Sequence, residues 1–273
     1  MSEVMISIES PEGSAAHRPE PRFDAAVQRF SSADFERTSD RPNAGQSFAE
    51  LLKPAAGSFD LRTIETRTVR EDALYVVCKR AIDIIISLTA ILIFSPIILL
   101  VAAGIKLYDG GPVLFSQCRV GKKGREFRCF KFRSMIVNAE AVQSALIDQN
   151  EHSDQRTFKI MNDPRVTPPG RILRRFSIDE LPQLINILRG DMSIVGPRPP
   201  LPREVALYSA YDFQRLAVKP GLTCIWQVSG RSRLAFPNQV RMDLEYIRNR
   251  SLKTDLAIIL KTIPAVLSGD GAA

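Results

Sequence analysis

The feature that most constrains this chain is an uncharged apolar run from Ile84 to Ile105, dominated by Ile, Leu, Val, Ala and Phe. A continuous helix of this length would be about 33 Å long, which is enough to cross the hydrocarbon core of a bilayer. A helix that is apolar on every side is typical of a membrane segment rather than of a soluble core. The sequence therefore predicts a membrane-embedded helix here.

The dipeptide Ser95-Pro96 interrupts this run near its middle. Proline removes one backbone hydrogen bond and bends a helix, while a serine hydroxyl can satisfy the freed backbone group. Both flanks are basic, with Lys79 and Arg80 before the run and Lys106 after it, so the positive-inside tendency gives no reason to place the ends on opposite sides. We prefer a re-entrant helix that enters from the cytoplasmic leaflet and returns to it, with a straight crossing as the alternative.

Composition divides the chain into three parts. Residues 1–70 are rich in Ser, Pro, Glu, Arg and Ala and have few apolar runs, so we predict a disordered or loosely ordered extension. Residues 71–109 contain the predicted membrane-anchoring helix, and residues 110–273 are predicted to form a small cytoplasmic domain. The expected fold class is a mostly helical α/β monotopic membrane protein.

Within the third part, residues 113–135 (VLFSQCRVGKKGREFRCFKFRSM) predict a β-hairpin that turns at residues 121–124. Residues 201–216 predict one helix at the membrane surface. The closing segment from Leu252 to Leu267 predicts an amphipathic helix whose Ile/Leu face could lie on the bilayer.

The net charge, the scarcity of histidine and the spacing of the cysteines limit the kinds of partner and catalysis that this chain can have. The formal net charge is +7 and the pI is about 9.4, which indicates an anionic partner such as nucleic acid, anionic lipid or a phosphorylated substrate. Histidine occurs only at His17 and His152, which argues against Ser-His and Cys-His nucleophiles and histidine-based zinc catalysis. The four cysteines show no C-x-x-C spacing and fit a reducing compartment. Chemistry should therefore rest on carboxylates, lysines, arginines and backbone groups.

The predicted hairpin interleaves phenylalanines with cations, which leaves two interpretations open. A sheet with aromatic side chains beside cations can bind RNA. Alternatively, the phenylalanines pack inward and the cations face lipid phosphates or substrate. The neighbouring membrane segment favours the second interpretation.

Asp179 and Glu180 lie together at the predicted start of a short helix. Arg174 and Arg175 precede them, and a Pro-Arg-Pro turn containing Arg198 follows. In the simpler interpretation the acids cap the helix and complement its dipole. In the functional one, a carboxylate beside cations stays ionised and serves as a nucleophile or holds a hard metal ion. Neighbouring helical positions point about 100° apart, which favours two different roles for the two acids.

The sequence resembles the bacterial sugar transferases, especially the short exopolysaccharide-initiating members that lack a multi-span amino-terminal domain. The resemblance runs from about Lys79 to the carboxyl terminus and leaves residues 1–70 outside. It is carried by KRAIDIIISL, FSPIILL, GGPVLFSQCRVG, KFRSM, NDPRVTPPGRILRRFSIDELPQLINILRGDMSIVGPRP and VKPGLTCIWQVSGRS.

This resemblance implies an activity at the cytoplasmic face of the bacterial inner membrane. Family members transfer a sugar 1-phosphate from a UDP-sugar to undecaprenyl phosphate and release UMP. The family mechanism implies that Asp179 attacks the sugar-bearing phosphorus to form a phosphosugar-aspartyl intermediate, with Mg²⁺ on Glu180 and also touching Asp179. Arg174 matches the phosphate-contacting arginine, with Arg175 and Arg198 as further phosphate-binding candidates. The membrane run matches the re-entrant helix broken at the Ser-Pro pair.

Other assignments are less closely tied to these motifs. Arg231 and Arg233 are candidates for a nucleotide pocket, and Asp243 for assisting the active site. Family members commonly have glycine where Cys224 stands. Expected partners are a UDP-sugar, undecaprenyl phosphate and inner-membrane lipids, without nucleic acid and with homo-oligomerisation left open. The rival hypotheses are a membrane-tethered nucleic-acid-binding protein and a non-catalytic scaffold of a polysaccharide assembly complex.

Overall fold

The computed structural model describes residues 72–143, 146, 154, 156, 160, 162–229 and 234–269. These residues all belong to one unit, which spans Ser47–Ala273. The extension predicted over residues 1–70 and the pocket candidates Arg231 and Arg233 lie outside the described residues, so these assignments stay predictions.

The apolar run forms part of one long helix, α1, which spans Ala73–Asp109 and contains Pro96. The Ser95 hydroxyl donates a hydrogen bond of 2.8 Å to the carbonyl of Leu92, the group that an N–H at position 96 would otherwise bond. The helix is long and apolar enough to cross a membrane, and its apolar window is almost entirely exposed. The predicted long apolar helix is confirmed, and the serine compensates for the proline.

Two polar residues near the start of α1 form hydrogen bonds with residues that follow the helix in the chain. The guanidinium of Arg80 donates to the carbonyls of Ile187 and Leu188 at 2.5 and 2.7 Å. The carboxylate of Asp83, only 4% exposed, accepts from the Ser193 hydroxyl at 3.0 Å and from the Ile194 N–H at 2.9 Å. The first turns of α1 are therefore hydrogen-bonded to the segment from Ile187 to Ile194.

The other end of α1 is bonded to the same unit. Arg133 pairs with Asp109 through both carboxylate oxygens and donates to the Pro112 carbonyl at 2.6 Å. Ile105 is buried against Phe132 and Leu173, which lie outside the helix. Both ends of α1 thus contact the part of the chain that follows it.

The predicted hairpin is confirmed. Strands β1, Leu114–Val120, and β2, Glu126–Phe132, pair antiparallel across a short 3₁₀ turn at Lys122–Gly124. A second, parallel pair joins β3, Ser193–Val195, to β4, Gly221–Thr223. The sheets are small, and the described fold is mostly helical, as expected.

The remaining helices are short apart from two. They are α2 (Ala139–Gln143), α3 (Pro168–Arg175), α4 (Gln183–Arg189), α5 (Pro202–Val205), α6 (Ala210–Phe213), α7 (Ile225–Ser229), α8 (Phe236–Asn249) and α9 (Leu252–Ser268). The predicted closing helix is confirmed as α9. It carries an exposed apolar stripe of Leu252, Leu256, Leu260, Ile263 and Leu267.

The prediction of a single helix over residues 201–216 is wrong. The structure divides the segment into α5, α6 and a 3₁₀ turn at Gln214–Ala217. Ser209 starts α6 because its hydroxyl accepts from the N–H of Asp212, and the Asp212 carboxylate accepts from the N–H of Ser209. This reciprocal cap begins a new helix where the apolar pattern suggests continuity.

Candidate functional site

The acidic pair lies on a 3₁₀ turn at Ile178–Glu180, between α3 and α4. Ser177, just before the turn, adopts a left-handed backbone conformation with φ of 54°, which is uncommon for a residue other than glycine. The predicted helix start is therefore a tight turn, and α4 follows from Gln183. The turn directs the two carboxylates toward strand β2.

Lys131 on β2 contacts both acids. Its ammonium donates to Glu180 Oε1 at 2.7 Å and lies 3.8 Å from Asp179 Oδ2. Sequence reasoning counted Lys131 only as one of several hairpin cations and missed this contact. The indication that the sequence offered is that Lys131 begins the KFRSM segment, which is one of the segments that carry the family resemblance.

The environment separates the pKa values of the two acids. Burial raises the pKa of Asp179, which is 6% exposed, and the charge of Glu180 raises it further against the opposing effect of Lys131. Burial alone would also raise the pKa of Glu180, but Lys131 and Arg198 hold it at about 2. Glu180 therefore stays ionised, while Asp179 is the more basic carboxylate. Neighbouring acids with diverging pKa values are typical of catalytic sites.

Arg198 of the Pro-Arg-Pro turn lies beside this pair, with its Nη1 3.7 Å from Glu180 Oε1. The turn is held by the hairpin: Arg119 Nη1 donates to the Pro199 carbonyl at 2.9 Å, and the Val120 N–H donates to the Pro200 carbonyl at 2.9 Å. Sequence reasoning did not assign this role to Arg119. The structure brings Arg198 to the acids, as the motif suggested.

The two arginines of α3 face different surroundings. Arg174 lines the cavity that contains Asp179, whereas Arg175 lies against Gly269 at the end of α9, with its guanidinium 5.6 Å from the Phe176 ring centre. Adjacent helical residues point about 100° apart, which accounts for the different directions of the two side chains. The structure does not bring Arg175 to the acidic pair.

A cavity of about 1210 Å³ opens beside the acids. Lys131, Arg174 and Arg198 line its polar part. Its apolar wall includes Ile86, Phe94 and Ile97 of α1 and Ile259, Ile263 and Val266 of α9. A cationic floor beside an apolar wall of the anchor helix suits a ligand with a phosphate and a hydrocarbon chain.

Asp243 is buried in α8 and is only 1% exposed. Its carboxylate pairs with Arg215, with Oδ2 2.6 Å from Nη2 and 2.8 Å from Nε. Arg215 also donates to the Tyr208 hydroxyl at 3.0 Å and lines the cavity. The candidate assisting acid is therefore engaged in a buried ion pair.

The donor set near the cavity fits a magnesium ion that shares its coordination with substrate. Among the described residues, no cluster of three or more His, Cys, Asp or Glu side chains could hold a metal ion. Mg²⁺ is usually held by one or two carboxylates together with phosphate oxygens and water. Asp179 and Glu180 supply two carboxylates next to cations that attract phosphate, so they fit such an ion.

Comparison with known proteins gives the family. The model of the bacterial sugar transferase family matches residues 74–269, and the chain belongs to that family. It is 44% identical to the exopolysaccharide production protein ExoY of Rhizobium meliloti over 197 residues, covering 71% of this chain and 87% of that protein.

Two longer relatives are named for their activity. The undecaprenyl-phosphate galactose phosphotransferase of Salmonella typhimurium is 42% identical over 71% of this chain and 41% of its own length. The undecaprenyl-phosphate glucose phosphotransferase of Komagataeibacter xylinus is 42% identical over 76% of this chain and 38% of its own length.

Proposed function

We propose that this protein transfers a sugar 1-phosphate from a UDP-sugar to undecaprenyl phosphate, releases UMP and so begins an exopolysaccharide or related glycan. The observation that carries the proposal is the meeting of Asp179, Glu180, Lys131 and Arg198 in a cavity walled by the anchor helix. The names of the relatives support undecaprenyl phosphate as the acceptor and a sugar phosphate as the transferred group.

The first step is attack by a carboxylate oxygen of Asp179 on the sugar-bearing phosphorus. A P–O bond forms to Asp179, the bond from that phosphorus to the bridging oxygen breaks, and UMP leaves with the bonding electron pair. The burial of Asp179 supports this role, because a carboxylate with a raised pKa is a stronger nucleophile once ionised. Its small exposed fraction also protects the acyl phosphate from water.

In the second step, an oxygen of undecaprenyl phosphate attacks the same phosphorus. A new P–O bond forms and the aspartyl P–O bond breaks, which returns Asp179 as a carboxylate and leaves the sugar on a lipid diphosphate. No proton has to be transferred in either step. This is consistent with a site made of carboxylates and permanent cations rather than of histidines.

The cations counter the repulsion between a carboxylate and a diphosphate. Lys131, Arg174 and Arg198 line the space that the phosphates would enter, and Glu180 fixes Lys131 and faces Arg198. When bound, Mg²⁺ would neutralise further charge on the phosphates, and Glu180 with Asp179 would hold it. Loss of any of these groups should slow the transfer more than it weakens the fold.

The anchor arrangement that we propose is a re-entrant helix with both ends in the cytoplasm. A straight helix of 37 residues would be about 55 Å long. Yet Asp83 near one end bonds to Ile194, and Asp109 at the other end pairs with Arg133. Because both ends contact one catalytic unit, they are expected on the same side of the membrane. Cysteine labelling at Lys79 and Tyr108 should report one compartment, and opposite labelling would refute the re-entrant arrangement.

The activity is tested with purified full-length protein, undecaprenyl phosphate, Mg²⁺ and a panel of UDP-sugars. We expect UMP release from at least one sugar donor and a phosphosugar adduct on the peptide that contains Asp179. Asp179→Asn should abolish both signals, whereas Glu245→Gln, at an exposed carboxylate of α8, should keep them. Folded protein that releases no UMP from any donor would contradict the proposal, and salt-sensitive RNA or DNA binding by that protein would favour the nucleic-acid rival.

A further inference from the structure

Asn186 on α4 has no solvent exposure and bonds to strand β2 through its side-chain amide. The Phe130 N–H donates to Asn186 Oδ1 at 3.0 Å, and Asn186 Nδ2 donates to the Arg128 carbonyl at 2.7 Å. The Asn186 amide also approaches Asp191 Oδ2 at 3.4 Å. One side chain thus supplies both a donor and an acceptor to the backbone of the strand.

These two backbone groups belong to residues two apart, so they point to the same edge of β2. The opposite edge of β2 pairs with β1. At this edge the amide makes the bonds that a third strand would make, and it leaves neither group unpaired in the interior. Buried backbone groups without partners are rare because they lose the hydrogen bonds that water gave them.

The location of this amide matters because Lys131 is the next residue on β2. Its ammonium lies 2.7 Å from Glu180 Oε1 and 3.8 Å from Asp179 Oδ2. The turn that carries these acids leads directly into α4, the helix of Asn186. The amide therefore ties the segment with the acids to the strand with their counter-charge.

A second contact between the same elements is weaker. The guanidinium of Arg189 lies 5.0 Å from the centre of the Phe130 ring. A cation over a ring does not fix the strand along its own axis, whereas two directional hydrogen bonds do. Cys129 of β2 also shares a buried apolar cluster with Leu184 and Ile187 of α4, but apolar packing is not directional. Among the contacts between β2 and α4, the two hydrogen bonds of Asn186 are therefore the directional ones that can fix the register of the strand and the position of Lys131.

We propose that Asn186 is a positioning residue, which holds Lys131 against Asp179 and Glu180 by acting as a one-residue substitute for a third strand. It does not touch substrate. Its effect on turnover rests on the proposed function, but its effect on Lys131 does not. The two effects can therefore be measured separately.

The measurement that needs no activity is the rate of lysine acylation, followed by peptide mass spectrometry. In the parent protein the ammonium of Lys131 is engaged by Glu180 and should react slowly. In Asn186→Leu we expect Lys131 to react several-fold faster, while the exposed Lys123 keeps its rate as an internal reference. Asn186→Asp keeps the acceptor for the Phe130 N–H but loses the donor to Arg128, and should give an intermediate rate. An unchanged Lys131 rate in both folded variants would overturn the proposal.

The second measurement is a double-mutant cycle on kcat for UMP release. Misplacing a catalytic group by about 1 Å can cost about 100-fold in rate, so we expect Asn186→Leu to lose tenfold or more. If Asn186 acts through Lys131, Asn186→Leu should cost nothing further in a Lys131→Met background. Leu244→Ala, in the core of α8, controls for stability and should leave kcat unchanged below its melting temperature.

Multiplicative losses in the double variant would overturn the proposal. Absence of UMP release from the parent protein would contradict the proposed function, and the labelling result would then decide the role of Asn186.

Discussion

The carboxylate of Asp83 accepts a hydrogen bond of 2.9 Å from the backbone N–H of Ile194, which lies 111 residues further along the chain. Asp83 belongs to the anchor helix, and Ile194 belongs to the parallel strand pair of the core. The bond is buried, so it joins the long apolar helix to the parallel strand pair without competition from water.

Asp83→Ala is expected to destabilise the protein. The substitution leaves the Ser193 hydroxyl and the Ile194 N–H without their acceptor, and each unsatisfied buried group costs about 1–3 kcal/mol. Thermal unfolding in detergent micelles should show a clearly lower midpoint. Asp72→Asn, at the start of α1, is the matched control, because Asn caps a helix as well as Asp does. An equal midpoint for both variants would show that the Asp83 contacts do not support the fold.

Lys131→Met is expected to separate metal affinity from turnover. Removing a positive charge that lies 2.7 Å from Glu180 should strengthen Mn²⁺ binding at the acids, by roughly tenfold or more. The same change should lower the rate of UMP release, because a phosphate-binding cation is lost. Mn²⁺ titration followed by electron paramagnetic resonance measures the affinity, and Lys123→Met serves as the exposed control. Weaker Mn²⁺ binding in Lys131→Met would argue against a metal site at these acids.

Gly170→Ala is expected to disturb the packing of α3. A Cβ at this position would lie 2.0 Å from the Ser134 carbonyl oxygen, so helix and hairpin would have to separate. Overpacking of this kind costs about 1–3 kcal/mol, and it should also displace Arg174 and reduce UMP release.

The matched control for this change is Gly104→Ala, where an added Cβ meets nothing within 4 Å and the helix favours alanine. Melting temperature and rate should stay at or above the parent values in that variant. If Gly170→Ala were equally well tolerated, the close approach of α3 to Ser134 would not be required.

Asp243 should give a specific pH dependence of stability. Burial raises its pKa to about 6 in spite of Arg215, whereas an unfolded aspartate has a pKa near 3.8. Between these values the folded state keeps a proton that the unfolded state releases. The contribution of Asp243 to the free energy of unfolding therefore falls as the pH rises from about 4 to about 6 and stays constant above that range.

The measurement for this prediction is the difference in melting temperature between the parent protein and Asp243→Asn from pH 4 to pH 8. We expect the difference, parent minus variant, to decrease up to about pH 6 and then to level off. The variant should be the less stable protein at pH 8, because it leaves the charge of Arg215 buried without its partner. A difference that stays constant from pH 4 to pH 6 would show that the pKa of Asp243 is not raised in the folded protein.

Much of this architecture follows from local sequence. Four features can each be recognised from the periodicity or the composition of a single stretch of sequence. They are the apolar run, the Ser95-Pro96 pair, the hairpin and the closing helix. The break at Ser209 was missed because its cap competes with an apolar pattern that continues through it. Local pattern therefore predicts which elements exist better than it predicts where they end.

The candidate site was predicted in part. Asp179 and Glu180 are adjacent in one long motif, so the sequence was sufficient to identify them as candidate site residues. Lys131 was not, because its contact with Glu180 joins residues 49 positions apart and depends on the register of a strand. The same reason hid Asn186. Helical periodicity alone could not say which of the two consecutive arginines lines the cavity, whereas the resemblance to the family singled out Arg174.

The hydrogen bonds from Arg80 to the Ile187 and Leu188 carbonyls have a practical consequence for preparing this enzyme. A shortened gene product that starts after the anchor would expose these carbonyls and the partners of Asp83, and would expose the apolar wall of the cavity to water. Such a product should aggregate rather than yield a soluble catalytic fragment. Crystallisation and kinetic work therefore require the intact chain in a nanodisc or detergent micelle.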